Sequence, residues 1–194
     1  MTKLIDFYFD FISPYSYLAH KKIEKLKENK DINFKYIPIL VGGLHNLQGI
    51  TAPAFINPKL KHMISDCNLI AKKNKLDFIW NSKFPINSLN ILRGYLFIND
   101  KVKDLYLNII FNAYWKENLD VSDERTLNTL IKKCNINSVD FLKGIEDSKI
   151  KDELKFVTQK AYDKEIFGVP SFVVNNKIFW GQDRLEFALD EYKK

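Results

Sequence analysis

Residues 3–11 are dense in Phe, Ile, Leu and Tyr. The run is too apolar for an exposed edge and predicts a buried strand. It breaks off at Ser13-Pro14, a hydroxyl suited to cap a helix followed by a proline suited to its first position. The helix predicted from Pro14 to about Glu28 carries Ala19, Ile23 and Leu26 as an i, i+4, i+7 stripe. Ile32, Phe34 and Tyr36 then alternate as a strand does across residues 32–40. Strand, helix and strand make a βαβ unit.

From residue 41 to about 167 the alternation gives way to helical stripes. Leu60, Met63, Ile64 and Cys67 form one, Val102, Leu105 and Ile109 a second, and Ile150, Leu154, Val157 and Ala161 a third. Ser122 precedes an acidic first turn, and Lys132-Lys133 close the same segment, matching the helix dipole at both ends. Beyond Gly168 the strand signal returns. Residues 171–174 and 177–180 flank Asn175-Asn176, a pair that tolerates the positive φ of a tight hairpin turn. Asp183 is placed to cap a last helix, with Glu186 at the reciprocal capping-box position and Leu185, Ala188, Leu189 and Tyr192 as its buried stripe. The two ends, βαβ and ββα, predict one mixed sheet whose halves, 1–40 and 168–194, are separated by an all-helical insertion over 41–167.

A chain of 194 residues fits one domain carrying an insertion and buries a core without disulfide or metal staples. No segment approaches the apolar length needed to cross a bilayer, and Met1-Thr2-Lys3 runs into the first strand without a signal-peptide core. A cytoplasmic location with no membrane partner is expected. Cys67 and Cys134 are far apart in polar, helix-like stretches and resemble neither a redox pair nor a ligand cluster. His20, His45 and His62 lack metal-ligand spacing, so no metal is expected. The net charge of +6 comes from scattered lysines, among them Lys21, Lys22, Lys25 and Lys27, which read as solvated helix faces. With no compact basic motif, nucleic acid is not an expected partner, whereas a small anionic ligand would be attracted.

Candidate chemistry gathers at the two motifs nearest the sheet. A helix N-terminus at the end of a central strand concentrates unpaired N–H groups and positive dipole, which would stabilise a thiolate or oxyanion held beside Ser13. By itself Ser-Pro at a helix start is a common cap. Gly168-Val169-Pro170-Ser171-Phe172 puts a proline just ahead of a strand. It reads either as a plain turn or, with a cis Val169-Pro170 bond, as a turn that exposes the Val169 backbone to an extended peptide.

Taken in order, Ser13-Pro14-Tyr15-Ser16, a helical insertion, Gly168-Val169-Pro170-Ser171-Phe172-Val173-Val174 and Phe179-Trp180-Gly181-Gln182-Asp183-Arg184 resemble the thioredoxin-fold group of 2-hydroxychromene-2-carboxylate isomerases and kappa-class glutathione transferases. The middle adds Lys59 with Met63 and Asp66, Phe84-Pro85-Ile86-Asn87, and Trp115 ahead of Val121-Ser122-Asp123. The likeness spans nearly the whole chain and implies an α/β fold, a thioredoxin-like mixed sheet with a large helical insertion of the DsbA type. That group is similar to DsbA-type oxidoreductases, whose Cys-x-x-Cys opens the first helix. With Ser13 and Ser16 in its place, disulfide exchange by the protein's own side chains is excluded there.

The resemblance implies glutathione as cosubstrate, with its thiol hydrogen-bonded by Ser13 so that the thiolate is favoured. Val169 would pair through its backbone with the cysteinyl part beside a cis Pro170. Trp180, Gly181, Gln182 and Asp183 would surround the γ-glutamyl end, and Lys59 would meet the glycine carboxylate. Asp183 suits an ammonium group and also reads as a simple cap; Lys59 also reads as a solvated lysine. Where relatives commonly carry Gly-Asn-x-Pro, this chain has Gln48-Gly49-Ile50-Thr51-Ala52-Pro53. Ile50 offers no hydrogen bond, so Thr51 or Asn87 is assigned to the substrate in its stead. Tyr15, Trp115 and the Ile50 loop are candidates to line a pocket for an electrophilic, aromatic or conjugated substrate, although aromatics in a helical insertion are more often core. The resemblance implies a homodimeric, glutathione-dependent isomerase. A kappa-like transferase and a non-catalytic peptide-binding module are the alternatives.

Overall fold

A computed structural model describes residues 3–27 and 32–194. The first strand, β1 (Ile5–Phe9), is shorter at both ends than the apolar run. Asp10 ends it: its Oδ1 accepts the Ile12 N–H at 3.1 Å, and its carbonyl accepts the Ser13 N–H at 3.1 Å, turning the chain into α1 (Pro14–Lys27). The predicted helix end at Glu28 lies outside the described residues. β2 (Phe34–Pro38) runs parallel to β1, pairing Phe7 with Tyr36, and stops at a proline that has no N–H to donate.

β3 (Ser171–Val174) lies antiparallel on the other side of β1, and β4 (Lys177–Trp180) antiparallel beyond it, in the order β2-β1-β3-β4. Asn175 and Asn176 take φ of 50° and 59°, the left-handed pair that a two-residue hairpin requires. Between the sheet halves lie α2 (Val41–Gln48), a 3₁₀ turn (Pro53–Phe55), α3 (Asn57–Asn74), α4 (Leu89–Phe97), α5 (Asp100–Trp115), α6 (Glu124–Lys133), α7 (Ser138–Glu146) and α8 (Ser148–Asp163). After β4 comes a second 3₁₀ turn (Gln182–Arg184) and α9 (Leu185–Tyr192).

Alternation along β1 sorts the core. Ile5, Phe7 and Phe9 face the larger apolar mass built from α1, α3 to α8 and α9, while Tyr8 turns to a smaller cluster with Ile39, Leu44, Ala161 and Ile166. Rings dominate the larger side: Phe7 stacks on Phe172 at 5.2 Å, and Phe11 meets Phe111 at 4.8 Å. The α5 stripe read from Val102, Leu105 and Ile109 is corrected here. Leu105 is exposed, and the buried face is Tyr106, Leu107, Ile110, Phe111 and Tyr114. The larger aromatic area draws the helix about one residue round its axis, with Tyr106 OH donating to the Ile91 carbonyl at 2.9 Å. At α6 the cap is Asp123, which accepts the Thr126 N–H, while Ser122 Oγ donates to Asp120. Among the described residues no helix is long and apolar enough to cross a membrane.

Candidate active site

Ser13 sits at the point where β1 hands over to α1. Pro14 takes the first helical position, where its missing N–H costs nothing. The Ser13 Oγ accepts the Ser16 N–H at 3.1 Å, which is N-capping from sequence position to geometry. The same hydroxyl donates to the Val169 carbonyl at 3.3 Å, a residue 156 positions away. That second bond is long and so weak, which leaves the hydroxyl proton easily redirected. Ser13 is nearly buried, and its oxygen lies at the positive end of a 14-residue helix.

The Val169-Pro170 bond is cis. The Pro170 carbonyl accepts the Gly181 N–H at 2.9 Å, so the loop facing Ser13 is tied directly to the end of β4. Gly181 takes φ of 110°, a conformation closed to ordinary side chains, and a Cβ there would meet Asp183 Oδ1 at 2.6 Å. Trp180 is half exposed and packs its indole on Phe167 at 4.8 Å. Gln182 is nearly buried.

Asp183 departs from its predicted cap role. Gly181 lets the chain turn at once into the Gln182–Arg184 turn, so Asp183 falls inside that turn, and no side-chain hydrogen bond caps it or α9. Its exposed carboxylate stands 3.5 Å from the Arg184 guanidinium. Capping therefore does not occupy the Asp183 oxygens.

Lys21, Lys22 and Lys25 of α1 are not simply solvated, as their scatter suggested; the Lys27 side chain lies outside what is described. Lys21 bonds Glu24 at 2.7 Å, and Lys25 bonds the Asn74 carbonyl at 3.0 Å. Lys22, half-buried, donates from Nζ to Gln182 Oε1 at 2.5 Å. Burial pulls its pKa down, while the Asp183 and Glu186 carboxylates push it up.

Other expected site residues lie on neighbouring segments. Lys59 is exposed in the first turn of α3. That helix is fastened to the start of α1 by Tyr15 OH donating to Asp66 Oδ2 at 2.8 Å. Thr51 is exposed in the loop between α2 and the Pro53–Phe55 turn. Asn87 is exposed just ahead of α4, with Oδ1 accepting the Leu89 N–H at 3.0 Å. Among the described residues no hydrogen bond joins Lys59, Thr51 or Asn87 to the Ser13–Val169 contact. An open groove of about 650 Å³ runs between Gln48 and Ile50 on one wall and Tyr162, Ile166 and Phe167 on the other. Trp115 is wholly buried, its indole N–H donating to the Phe11 carbonyl at 2.8 Å, and so belongs to the core.

Near Ser13, one residue escaped the reading of the sequence and another entered it only as part of a motif. Asp10 is fully buried, yet its Oδ2 takes the Val41 N–H at 2.9 Å, its Oδ1 takes the Ile12 N–H, and Ser88 bonds it as well. It thus pins the openings of α1, α2 and α4 to one carboxyl. Burial pushes that carboxyl up to about 6, against the opposing pull of those hydrogen bonds. The one signal was an acid inside an apolar run. Ser16, read only as the last residue of the helix-opening motif, is buried, and its Oγ has no hydrogen-bond partner among the described residues. The two thiols stand apart from this chemistry. Burial pushes Cys67 up to about 12 and Cys134 up to about 11, so neither supplies a thiolate near neutral pH. No cluster of metal-ligating side chains occurs among the described residues.

Comparison with known proteins gives a consistent picture. The model of the DSBA-like thioredoxin domain matches residues 4–193. A 2-hydroxychromene-2-carboxylate isomerase of Sphingobium xenophagum is 29% identical over 194 residues, covering 99% of this chain and 98% of the relative. A glutathione S-transferase kappa 1 of Caenorhabditis elegans is 26% identical over 211 residues, covering 98% and 92%. A solved 2-hydroxychromene-2-carboxylate isomerase structure superposes with a TM-score of 0.89 at 24% identity, over 96% of this chain and 93% of that one, which shows the shared fold.

Proposed function

Because the chain belongs to the DSBA-like thioredoxin domain family, we propose that it keeps the family's thiol site at the opening of α1 but borrows the sulfur, acting as a glutathione-dependent isomerase of the 2-hydroxychromene-2-carboxylate type. The observation that carries this reading is Ser13. Its hydroxyl caps a 14-residue helix and touches the Val169 carbonyl beside a cis proline. In this reading the glutathione sulfur docks at the helix mouth. The Ser13 proton turns from Val169 to the thiolate, while its lone pair keeps the Ser16 N–H. The dipole of α1 and the hydrogen bond both favour the anion over the thiol.

Val169 pairs through its backbone with the cysteinyl unit, as an added strand, with Pro170 shaping the loop. Trp180, Gly181, Gln182 and Asp183 take the γ-glutamyl end, where the exposed Asp183 carboxylate receives an ammonium group. Lys59 meets the glycine carboxylate. Thr51 and Asn87, the latter with its amide donors beyond the bond at Leu89, serve the electrophile in place of the side chain that Ile50 lacks.

The chemistry balances with no other reagent. The hemiketal C–O bond of the chromene ring first opens to a phenol and a ketone. Glutathione releases its thiol proton, and the thiolate adds to the double bond conjugated with that ketone, whose oxygen takes the electron pair as an enolate while the former double bond becomes a rotatable single one. Rotation, then elimination, breaks the C–S bond and returns the thiolate. A transferase differs only in keeping the adduct, a branch favoured by the similarity to the nematode transferase. Incubation with glutathione and 2-hydroxychromene-2-carboxylate separates them. The open-chain isomer without loss of free thiol supports the isomerase, thiol consumption supports the transferase, and neither product rejects both.

A further inference from the structure

The half-buried ammonium of Lys22 has a neutral amide as its hydrogen-bond partner, Gln182 Oε1 at 2.5 Å, where a carboxylate would serve it better. Lys22 lies on α1, and Gln182 opens the turn that contains Asp183. The Asp183 and Glu186 carboxylates act on Lys22 without capping either the turn or α9. The Lys22 ammonium and the exposed Asp183 carboxylate, the latter 3.5 Å from the Arg184 guanidinium, therefore meet one short turn at successive residues, 182 and 183. That turn is locked to the cis-proline loop by the Gly181 N–H on the Pro170 carbonyl, and the loop in turn touches Ser13.

An ammonium bonded to Gln182 and the carboxylate of the next residue in the chain suit a zwitterion: a free α-carboxylate on the lysine and a free α-ammonium on the aspartate. Glutathione carries one such head, at the α-carbon of its γ-glutamyl residue. We propose that Lys22 binds the γ-glutamyl α-carboxylate while Asp183 binds the neighbouring ammonium, so that the site selects its cosubstrate by a zwitterionic head as well as by its thiol. The inference rests on the glutathione reading above. It adds a residue to that site, and it explains why a lysine is kept partly desolvated against an amide. Gln182 then holds the Lys22 ammonium in place when no ligand is bound, and shares it when one is.

The test is calorimetric, with three tripeptides: glutathione, 4-aminobutanoyl-Cys-Gly, which lacks the α-carboxylate, and glutaryl-Cys-Gly, which lacks the α-ammonium. For the unaltered protein, loss of the carboxylate is expected to weaken binding about tenfold or more, the usual worth of a charge-assisted hydrogen bond. Lys22→Met is expected to weaken glutathione binding by a similar factor, to be indifferent to the missing carboxylate, and to keep its preference for the ammonium. Lys22→Arg restores most of the affinity, and Lys22→Gln repeats the test where methionine impairs folding. A purely structural lysine would weaken all three peptides alike. If Lys22→Met and Lys22→Gln keep the unaltered protein's ratio between glutathione and 4-aminobutanoyl-Cys-Gly, Lys22 does not read the carboxylate. If the unaltered protein binds none of the three, the glutathione reading itself falls, and this inference with it.

Discussion

Replacing Ser13 with alanine removes one oxygen that has two separable duties. In the folded protein it accepts the Ser16 N–H at 3.1 Å, and losing that cap costs about 1 kcal/mol. For a chain of this length the melting temperature should fall by about 2–4 °C for each such kcal/mol. The weak bond to Val169 at 3.3 Å adds little. In the glutathione complex the same hydroxyl donates to a thiolate, and a hydrogen bond to a charged group is worth about 1.5–3 kcal/mol. At about 1.4 kcal/mol per unit, the bound thiol should titrate about one to two units higher, and turnover near neutral pH should drop about ten- to a hundredfold. Glycine distinguishes the two duties, because it caps a helix within a few tenths of a kcal/mol of serine yet offers no hydroxyl. Ser13→Gly should therefore nearly keep the melting temperature of the unaltered protein and share the thiol shift of Ser13→Ala. The assay is the ultraviolet absorbance of the bound thiolate followed against pH, with thermal melts in parallel. A thiolate titration that stays put in both variants would refute the role given to Ser13.

Asp10 makes a pH-dependent prediction: its folded carboxyl sits at about 6 against an ordinary 3.8, so the folded state holds that proton more tightly than the unfolded chain does. The stability of the unaltered protein relative to Asp10→Asn should then fall by about 3 kcal/mol as pH rises from about 3 to about 7, which denaturant unfolding at several pH values measures; a flat or rising difference contradicts it. Glu191 runs the other way. Hydrogen bonds from Lys177, Asn175 and Lys194 hold it down to about 2 from an ordinary 4.5, so its contribution is present above the ordinary value and lost as pH falls toward 2. Glu191→Gln should melt below the unaltered protein at neutral pH, and the gap should close on acidification. At Gly168 a Cβ would stand 2.7 Å from Trp180 Nε1. Gly168→Ala should push the indole off Phe167, change tryptophan fluorescence and weaken glutathione binding while costing little stability, since Trp180 is exposed; unchanged fluorescence and affinity would contradict this.

What the chain disclosed about itself depended on how far each feature reaches along it. The Ser13-Pro14 helix start and the Asn175-Asn176 hairpin were legible because cap, proline and left-handed turn are decided within a few residues. The sheet followed from the same local signals, since strands at both ends of the chain leave few ways to pair. The α5 face was misread because three aliphatic positions fitted a helical period, while the rings of Tyr106, Phe111 and Tyr114 decided which side faced inward. Asp183 was misread as a cap because the φ of 110° at Gly181, which starts the turn one step early, has no signature beyond the glycine itself. Lys22 was indistinguishable from the other lysines of α1, because the amide that receives it lies 160 positions further on. Asp10 showed only as an acid inside an apolar run, since its partners arrive from α2 and from Ser88 ahead of α4. Contacts of that range are written in the fold and not in any local spacing.

The resting place of the borrowed sulfur is what a crystal structure of the protein with glutathione measures directly. The sulfur is expected within hydrogen-bond distance of Ser13 Oγ, the cysteinyl backbone paired with Val169, and the γ-glutamyl head between Lys22 and Asp183. A sulfur resting away from the mouth of α1, with the Ser13 hydroxyl still turned to the Val169 carbonyl, would contradict that expectation.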